Sequence, residues 1–333
     1  KDKFVDTTGI VLGQYRGYAY VIAVIPGSPA DKAGIKPGNV IEYIDGHATR
    51  DIDLYDMRSL LNGAPGSTVE VAVFRSNATD KIKITRGAVV QPKPEIQSLE
   101  NQIGYVKVPV LNAGQADVVQ AAVRDAIKRG AQKLILDLRG SAGGDLKEGV
   151  KVANFFVKSG ALAKVIGRSN KVISTYEANP ENVITDLPMV VLIDLTTAGA
   201  SEVVAAAILD NQRGDVVGSR TFGVGSEQEL FMLDDGSAML LTTARYSSPS
   251  GKFFLPEGVT PNVEVKRAEL AEAGTPDDEE EAQPKPNSSP TTTPSPTPSV
   301  PQVAVPQKPS EDLILKKGIE VLTTGSKVKK KAA

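Results

Sequence analysis

The chain of 333 residues contains no cysteine and no tryptophan, and it has a single histidine. Without cysteine it can form neither a disulfide, nor a thiolate nucleophile, nor a zinc site built on thiolates. The absence of cysteine is compatible with an oxidising compartment and does not require one. The one histidine, His47, lies in the polar segment DGHATRD, where we interpret it as a surface side chain and not as a catalytic base.

The sequence also lacks a strong charge of one sign and any long apolar run. Its 38 Lys and Arg nearly balance 40 Asp and Glu, so there is no global basic field for nucleic acid. We interpret the basic end KVKKKAA and the acidic run DDEEE as solvated. No apolar run reaches the ~18 residues of a membrane span, and residues 1–20 lack the order of a signal peptide. No metal-ligand spacing occurs, so we expect neither a metal nor a cofactor.

Length and patterning predict two domains with flanking segments. At 333 residues the chain exceeds what one compact core usually holds, and its 41% hydrophobic residues are ample for real cores. After a remnant at residues 1–8, short β-like runs alternate with Gly/Pro turns and two short helical segments over residues 9–86, which predicts a small strand-rich domain. Residues 87–95 form a stiff connector. Over residues 96–267, apolar strand patterns alternate with helical ones, which predicts an α/β core.

The last part of the chain changes character twice. Residues 268–310 are rich in Pro, Ser, Thr and acidic residues, so they predict a disordered linker. Residues 311–333 predict one short helix and a basic tail. The segment SEDLILKKGIEVLTTG suggests Ser310 as the N-cap of that helix. Its apolar residues are Leu313, Leu315, Ile319 and Leu322.

Several motifs carry a resemblance to known families. The segment VIPGSPADKAGIKPGNVIEYIDG resembles the core of a PDZ domain. Further along, IGYVKV, LILDLRGSAGG, VVGSRTFGVGSEQ, DGSAMLLTTARYSSPSGKFF and GVTPNVEV resemble, in that order, successive blocks of the C-terminal processing peptidases, also called tail-specific proteases of family S41. The resemblance covers about residues 8–267. It implies an N-terminal PDZ domain, a ClpP/crotonase-like core and a Ser/Lys dyad. It also implies an extracytoplasmic location in the periplasm, cell envelope or thylakoid lumen.

The dyad positions that the resemblance implies are degenerate in this sequence. The family block Ser-Ala-Ser-Ala-Ser-Glu corresponds to TAGASE, which puts Gly199 at the position of the nucleophile. The family block Thr-Phe-Gly-Lys-Gly corresponds to TFGVG, which puts Val224 at the position of the base. The offset of 25 residues between them agrees with the family, and Gln228 is retained as the third polar member. Glycine has no group to attack with and valine cannot accept a proton, so we interpret the chain as a pseudoprotease.

Backbone groups around the degenerate dyad match the family better. The resemblance places an oxyanion hole at the N–H of Ala200 and at Gly143 in the loop RGSAGG. The alternative is that these glycines serve only to make turns. If the hole is kept, the cleft can hold a peptide carbonyl without cutting the peptide.

The PDZ-like segment offers a second candidate site. In PDZ domains a C-terminal peptide adds as a strand beside a helix, and backbone N–H groups of a glycine-containing loop hold its carboxylate. The resemblance puts this loop at Gly9, Ile10, Val11 and Leu12, where Val11 replaces the second glycine of the family pattern. The facing helix would contribute Met57, Leu60 and Leu61, which could equally be ordinary core residues.

Three functions remain open from the sequence. The first is an inactive homologue that binds protein C-termini, unfolded tails or partner subunits, including an active homologue or a second copy. The second is an active serine-type endopeptidase with an unorthodox nucleophile. Thr197 and Ser201 flank Gly199, but their offset predicts that both point away from the site. The third is a scaffold with vestigial clefts.

Asp137 and Arg139 resemble an acid/base pair, and we expect Arg139 to fix the adjacent loop by hydrogen bonds.

Overall fold

The computed structural model of the chain describes residues 6–15, 17–75, 78–265 and 311–324. The N-terminal domain is strand-rich, as its alternating pattern predicts. Its strands are β1 Ile10–Tyr15, β2 Tyr18–Val24, β3 Val40–Ile44, β4 His47–Ala48, β5 Thr68–Arg75 and β6 Ala78–Thr85. They form one antiparallel sheet in the order β1-β2-β3-β5-β6, with β4 paired to β3. Strand β1 therefore lies at an edge.

Two short helices complete this domain, and they are α1 Pro29–Lys32 and α2 Leu54–Leu61. Helix α2 begins after Asp53, whose carboxylate accepts a hydrogen bond from the N–H of Asp56 at 2.9 Å. This cap satisfies one of the free N–H groups in the first turn. Met57 and Leu61 of α2 are fully buried against the sheet, so the helix is held by its apolar face.

The C-terminal domain is a mixed α/β unit with two sheets. Its strands are β7 Glu95–Leu99, β8 Ile103–Lys107, β9 Lys133–Asp137, β10 Ala161–Ile166, β11 Val172–Glu177, β12 Met189–Ile193, β13 Asp215–Gly218, β14 Ser226–Met232, β15 Ala238–Ser247 and β16 Val263–Glu264. Its helices are α3 Gln115–Lys128, α4 Leu146–Asn154, α5 Ala200–Asp210 and α6 Leu313–Thr324. The larger sheet has the order β16-β13-β12-β9-β8-β7 and the smaller one the order β11-β10-β15-β14. All pairs of the larger sheet are parallel except β7 with β8.

The larger sheet is buried on both faces. Successive side chains of a strand point to opposite sides, so each central strand supplies residues to two apolar clusters. In β12, Val191 and Ile193 face the core that α3, α4 and α5 share. Val190 and Leu192 of the same strand face the other side, where they pack with α6. Burial on both faces explains why the central strands are continuously apolar in the sequence.

Helix α6 confirms a helix in the last part of the chain, but its details differ from the prediction. The carboxylate of Asp312 accepts from the N–H of Leu315 at 3.0 Å and so caps the helix; Ser310 lies outside the described residues. Ile314 and Val321 are buried against the sheet, whereas Leu313 is 43% exposed. Leu315, Ile319 and Leu322 pack against the same cluster as predicted, so only Leu313 departs from the prediction.

Other parts of the predicted organisation lie outside the described residues. These are most of the N-terminal remnant, the linker predicted at residues 268–310 and the basic tail after α6. The predicted domain boundaries stay predictions. No described helix combines the length and the apolarity that crossing a membrane requires.

Candidate functional site

Gly199 lies at the turn between strand β12 and helix α5. Its backbone has φ 68° and ψ −122°, a conformation that residues with a side chain rarely adopt. Serine nucleophiles of α/β-hydrolases are presented on this kind of strained strand-to-helix turn. The backbone at Gly199 therefore forms a sharp strand-to-helix turn that a residue with a side chain would adopt only under strain.

The space that such a side chain would need is filled by a carbonyl group. A Cβ built on Gly199 would lie 2.6 Å from the carbonyl oxygen of Gly143. The same oxygen accepts a hydrogen bond from the N–H of Ala200 at 2.9 Å. The predicted oxyanion hole is thus closed by its own loop, because the N–H of Ala200 is engaged and Gly143 presents an acceptor there. An incoming carbonyl oxygen would have to replace that of Gly143.

One buried carboxylate joins Gly199 and Val224, the two predicted dyad positions. Oε2 of Glu202 accepts the N–H of Gly199 at 2.8 Å and the N–H of Val224 at 2.7 Å. Oε1 accepts the N–H of Gly223 at 2.8 Å and the hydroxyl of Thr221. Two residues that are far apart in the sequence therefore meet at one oxygen atom, which supports the register that the motifs imply.

Glu202 is not among the predicted site residues, although the sequence contains a signal for it. Glu202 is the third residue of helix α5, and an acidic residue there commonly accepts the N–H of the capping residue. What the sequence could not show is that the same carboxylate also binds the loop of Val224. Glu202 is a positioning residue, because it holds two loops together and has no exposed surface of its own.

The ionisation of Glu202 is set by opposing effects. Burial raises its pKa to about 7, whereas the hydroxyl of Thr221 and the three backbone N–H groups act to lower it. All four hydrogen bonds use the carboxyl oxygens as acceptors. A proton on this group would therefore displace at least one donor.

The pKa of Glu202 predicts a pH dependence of stability. The folded-state pKa of about 7 lies above the ordinary value of 4.5, so the folded protein binds this proton more tightly than the unfolded chain. The corresponding stability is fully present below pH 4.5 and is lost as the pH rises to about 7, with a slope of at most about 1.4 kcal/mol per pH unit. Urea unfolding of the wild type and of Glu202→Gln across this range measures it. Equal slopes for the two proteins would contradict the assignment.

The first hairpin of the N-terminal domain packs on the candidate site. Ile22 of β2 is buried in one cluster with Ala198 of the turn before α5, and Val11 and Val224 pack against this cluster. The rings of Tyr20 and Phe222 stack with centroids 5.6 Å apart. Valine at the base position thus completes an apolar contact between the domains, in which a charged side chain would be desolvated.

The contact is tight at strand β1. A Cβ built on Gly13 would lie 2.7 Å from the ring of Phe222, so glycine is needed for this approach. Burial, together with the charge of Asp194, raises the pKa of Tyr20. The hairpin that carries the predicted peptide-binding loop therefore also covers the degenerate dyad.

The predicted carboxylate loop is only partly open to a ligand. Gly9 adopts a positive φ of 80°, and its N–H donates to Oδ1 of Asp6 at 2.8 Å. Leu12 is buried in the domain core, as are the two α2 residues described above. Ile10, Val11 and Leu60 are half-buried, so these members of the predicted groove keep some accessible apolar surface. The core interpretation therefore fits Met57 and Leu61, and Leu12 of the predicted loop is a core residue as well.

Neither alternative nucleophile is accessible. Thr197 is completely buried, and its hydroxyl donates to the carbonyl oxygen of Leu138 at 3.0 Å. Ser201 is 1% exposed, and its hydroxyl lies 2.6 Å from that of Ser141. Both side chains point into the protein, as their offset from Gly199 predicts.

The remaining candidates have structural roles or lie elsewhere. Arg139 binds the buried carboxylate of Asp137 and also Asp312 at 2.7 Å, so it fixes the start of the loop and anchors α6, in agreement with the prediction. His47 is exposed on β4 of the N-terminal domain. Gln228 lies on β14 opposite Thr242 with an exposed side chain. In the described part of the chain no three His, Asp or Glu residues are grouped as metal ligands would be.

Comparison with known families agrees with this architecture. The model of peptidase family S41 matches residues 102–265, and a PDZ domain model matches residues 20–75. The solved structure of a photosystem II D1 C-terminal processing protease superposes with a TM-score of 0.72 at 32% identity. The match covers 80% of this chain and 73% of that chain.

Similar curated proteins are named as C-terminal processing peptidases. The chain is 36% identical over 251 residues to carboxyl-terminal-processing peptidase 2, chloroplastic, of Arabidopsis thaliana, which covers 73% of this chain and 48% of the relative. It is 35% identical over 261 residues to the C-terminal processing peptidase, chloroplastic, of Tetradesmus obliquus, covering 74% of this chain and 56% of the relative. The chain spans about half the length of the curated relatives it matches. The ordered motifs, the PDZ match and the shared fold together show that the chain belongs to peptidase family S41, among the C-terminal processing peptidases.

Proposed function

We propose that this chain is a catalytically inactive C-terminal processing peptidase homologue that binds polypeptides. One observation carries the proposal. Gly199 and Val224 meet at the same oxygen of Glu202, so the dyad positions are assembled while neither residue has a group for the chemistry. The buried hydroxyls of Thr197 and Ser201 give no support to an unorthodox nucleophile.

The ligands we propose are protein C-termini, unfolded tails and partner subunits, with an active homologue or a second copy among the latter. Support comes from strand β1, which is an edge of its sheet and runs beside helix α2. An edge strand next to a helix is the geometry in which PDZ domains add a peptide. We propose an extracytoplasmic location, in line with the family resemblance. The scaffold hypothesis, in which both clefts are vestigial, is the alternative that binding experiments must exclude.

The purified chain is expected not to hydrolyse casein, because it lacks both members of the dyad. The double change Gly199→Ser plus Val224→Lys should restore detectable cleavage, since the two positions meet at Glu202. A serine at this turn would also push the Gly143 carbonyl away from the N–H of Ala200, which would free an oxyanion donor. Casein cleavage by the wild type and the three variants is the measurement.

The single variants serve as controls for the rebuilt dyad. Serine alone has no base, and lysine alone has no hydroxyl to activate. Activity of either single variant equal to that of the double one would show that the dyad assignment is wrong. Wild-type hydrolysis that disappears in Ser201→Ala or Thr197→Ala would refute the inactive homologue.

Peptide capture by the PDZ domain is tested with a peptide that ends in an apolar residue. We expect the free carboxylate form to bind at least about tenfold more tightly than the amidated form, because charged hydrogen bonds to backbone N–H groups are lost on amidation. Leu60→Asp should weaken binding, since Leu60 keeps an accessible apolar face. Ser59→Asp, an exposed neighbour on the same helix, is the matched control. Equal binding of both peptide forms would favour the scaffold hypothesis.

A further inference from the structure

The hairpin formed by β14 and β15 exposes an unusual amount of apolar side chain. Five large apolar residues of this hairpin and its turn are between 42% and 69% exposed, namely Phe231, Met232, Leu233, Met239 and Leu241. Scattered exposed apolar residues are normal, but a contiguous group on one element indicates a binding surface. None of the five belongs to the apolar cluster in which the first hairpin packs on the candidate site.

Strand β14 is also an open edge that leads to the candidate site. Among the described strands it pairs with β15 alone, so its other side has no strand beside it. It begins at Ser226, two residues after Val224. An extended polypeptide that adds to this edge would therefore continue directly into the degenerate dyad. Strand addition of this kind gives affinity through main-chain hydrogen bonds and specificity through alternate side chains.

The charge of this segment is one-sided. From Thr221 to Ala244 the sequence has no Lys or Arg, whereas it has four acidic residues: Glu227, Glu229, Asp234 and Asp235. The exposed carboxylates of Glu229, Asp234 and Asp235 favour a ligand with positive charge. Arg245, at the base of the hairpin, is already engaged, because it donates to Asn170 and lies 4.0 Å from the ring centroid of Phe253.

The register of the hairpin specifies the pattern of the ligand. Glu229 is opposite Leu241, and Phe231 is opposite Met239. Residues two apart on a strand share a face, so Glu229 and Phe231 lie on the same side of the sheet. The acidic side chain of Glu229 is therefore next to the apolar pair of Phe231 and Met239. A strand beside β14 would therefore place a basic residue near Glu229 and an apolar residue, two positions away, near Phe231.

We propose that the β14 edge binds an extended segment of unfolded polypeptide in which a basic and an apolar residue are two positions apart. This inference deepens the proposed function and rests on it in taking an unfolded polypeptide as the ligand. It names a second contact, separate from the PDZ loop, and a sequence preference for it.

The test uses peptides that are acetylated and amidated, so that no free carboxylate can report on the PDZ loop. One peptide carries repeated Leu-x-Lys pairs, and its partner carries Leu-x-Glu pairs. Fluorescence anisotropy with the full chain should show tighter binding of the Lys peptide, with a preference that falls as salt is raised. Backbone N-methylation at alternate residues on the edge facing β14 should abolish binding, because strand addition needs those N–H groups.

Two variants separate charge from apolar contact. Glu229→Lys should weaken binding of the Lys peptide at least about tenfold and strengthen binding of the Glu peptide. A merely structural role of Glu229 would not reverse the preference in this way. Phe231→Ser should weaken the binding of both peptides by a similar factor. Val172→Ser, an exposed apolar residue on β11 at the opposite edge of the same sheet, should change neither and is the matched control.

Several outcomes would overturn the inference. They are equal binding of the two peptides, binding that survives N-methylation in either register, and a Glu229→Lys variant with unchanged preference. A chain that dimerises through Phe231 and binds neither peptide would show that a second copy covers this edge. Because these peptides lack a free carboxylate, their failure leaves capture by the PDZ domain untouched, and the free-carboxylate titration decides that separately.

Discussion

Replacing Gly199 with serine should lower the free energy of unfolding by about 3 kcal/mol. Two costs add at this position. The backbone has φ 68° and ψ −122°, where a side chain is strained, and the new Cβ would lie 2.6 Å from the carbonyl oxygen of Gly143. Backbone oxygen atoms cannot yield as the end of a flexible side chain can, so the loop at residues 140–144 must shift. Urea unfolding followed by far-UV circular dichroism measures the loss.

A matched control separates strain from the steric contact. Gly114 precedes α3 with φ 84°, and a Cβ there would meet nothing within 4 Å. Gly114→Ser should therefore cost only about 1 kcal/mol, the ordinary penalty for a side chain in the left-handed region. If the two variants lose the same free energy, the Gly143 carbonyl is not a barrier and the closed oxyanion hole opens freely.

Replacing Glu202 with alanine should be the most destabilising single change in the C-terminal domain, at about 4 kcal/mol at pH 8. The change leaves three backbone N–H groups and the hydroxyl of Thr221 without their acceptor in a buried site. Each unsatisfied donor costs about 1 kcal/mol or more. Unfolding in urea gives the free energy, and amide exchange at Gly199 and Val224 shows whether the two loops separate.

Glu148 provides the comparison for this prediction. It is also a buried carboxylate on a helix of the same domain, but it accepts from the N–H of Ala116 and from Lys151, which is itself accessible to water. Glu148→Ala should therefore cost clearly less. A similar loss of unfolding free energy in both variants would mean that any buried carboxylate contributes this much stability. The junction at Glu202 would then contribute nothing beyond that.

The variants Gly199→Ser and Glu202→Ala alter the same junction. Glu202 holds the turn of Gly199 against the loop of Val224, while the Gly143 carbonyl occupies the place of the missing side chain. Val224 then gives the first hairpin of the N-terminal domain an apolar surface to pack on. Gly199 and Val224 thus lie at one junction, and the apolar residues beside it serve packing between the domains.

The sequence by itself determined the family and the order of the elements, and it predicts the degeneracy of the dyad. These are local properties, because a motif, a strand pattern or a capping residue such as Asp53 depends on neighbours along the chain. The offset of Gly199 and Val224 also followed from the sequence, since each lies in its own ordered block. The sequence also predicts that Thr197 and Ser201 point away from the site, whereas their burial is a finding of the structure.

Only the tertiary structure decided what fills the site and what surrounds it. The contact of the Gly143 carbonyl with Ala200, the four donors at Glu202 and the salt bridge between Arg139 and Asp312 all join segments that are distant in sequence. The same holds for α6, whose buried face was set by the sheet beneath it, and for Met57, which turned out to serve the core. Such contacts depend on where strands and helices pack, and no pattern within one segment encodes that.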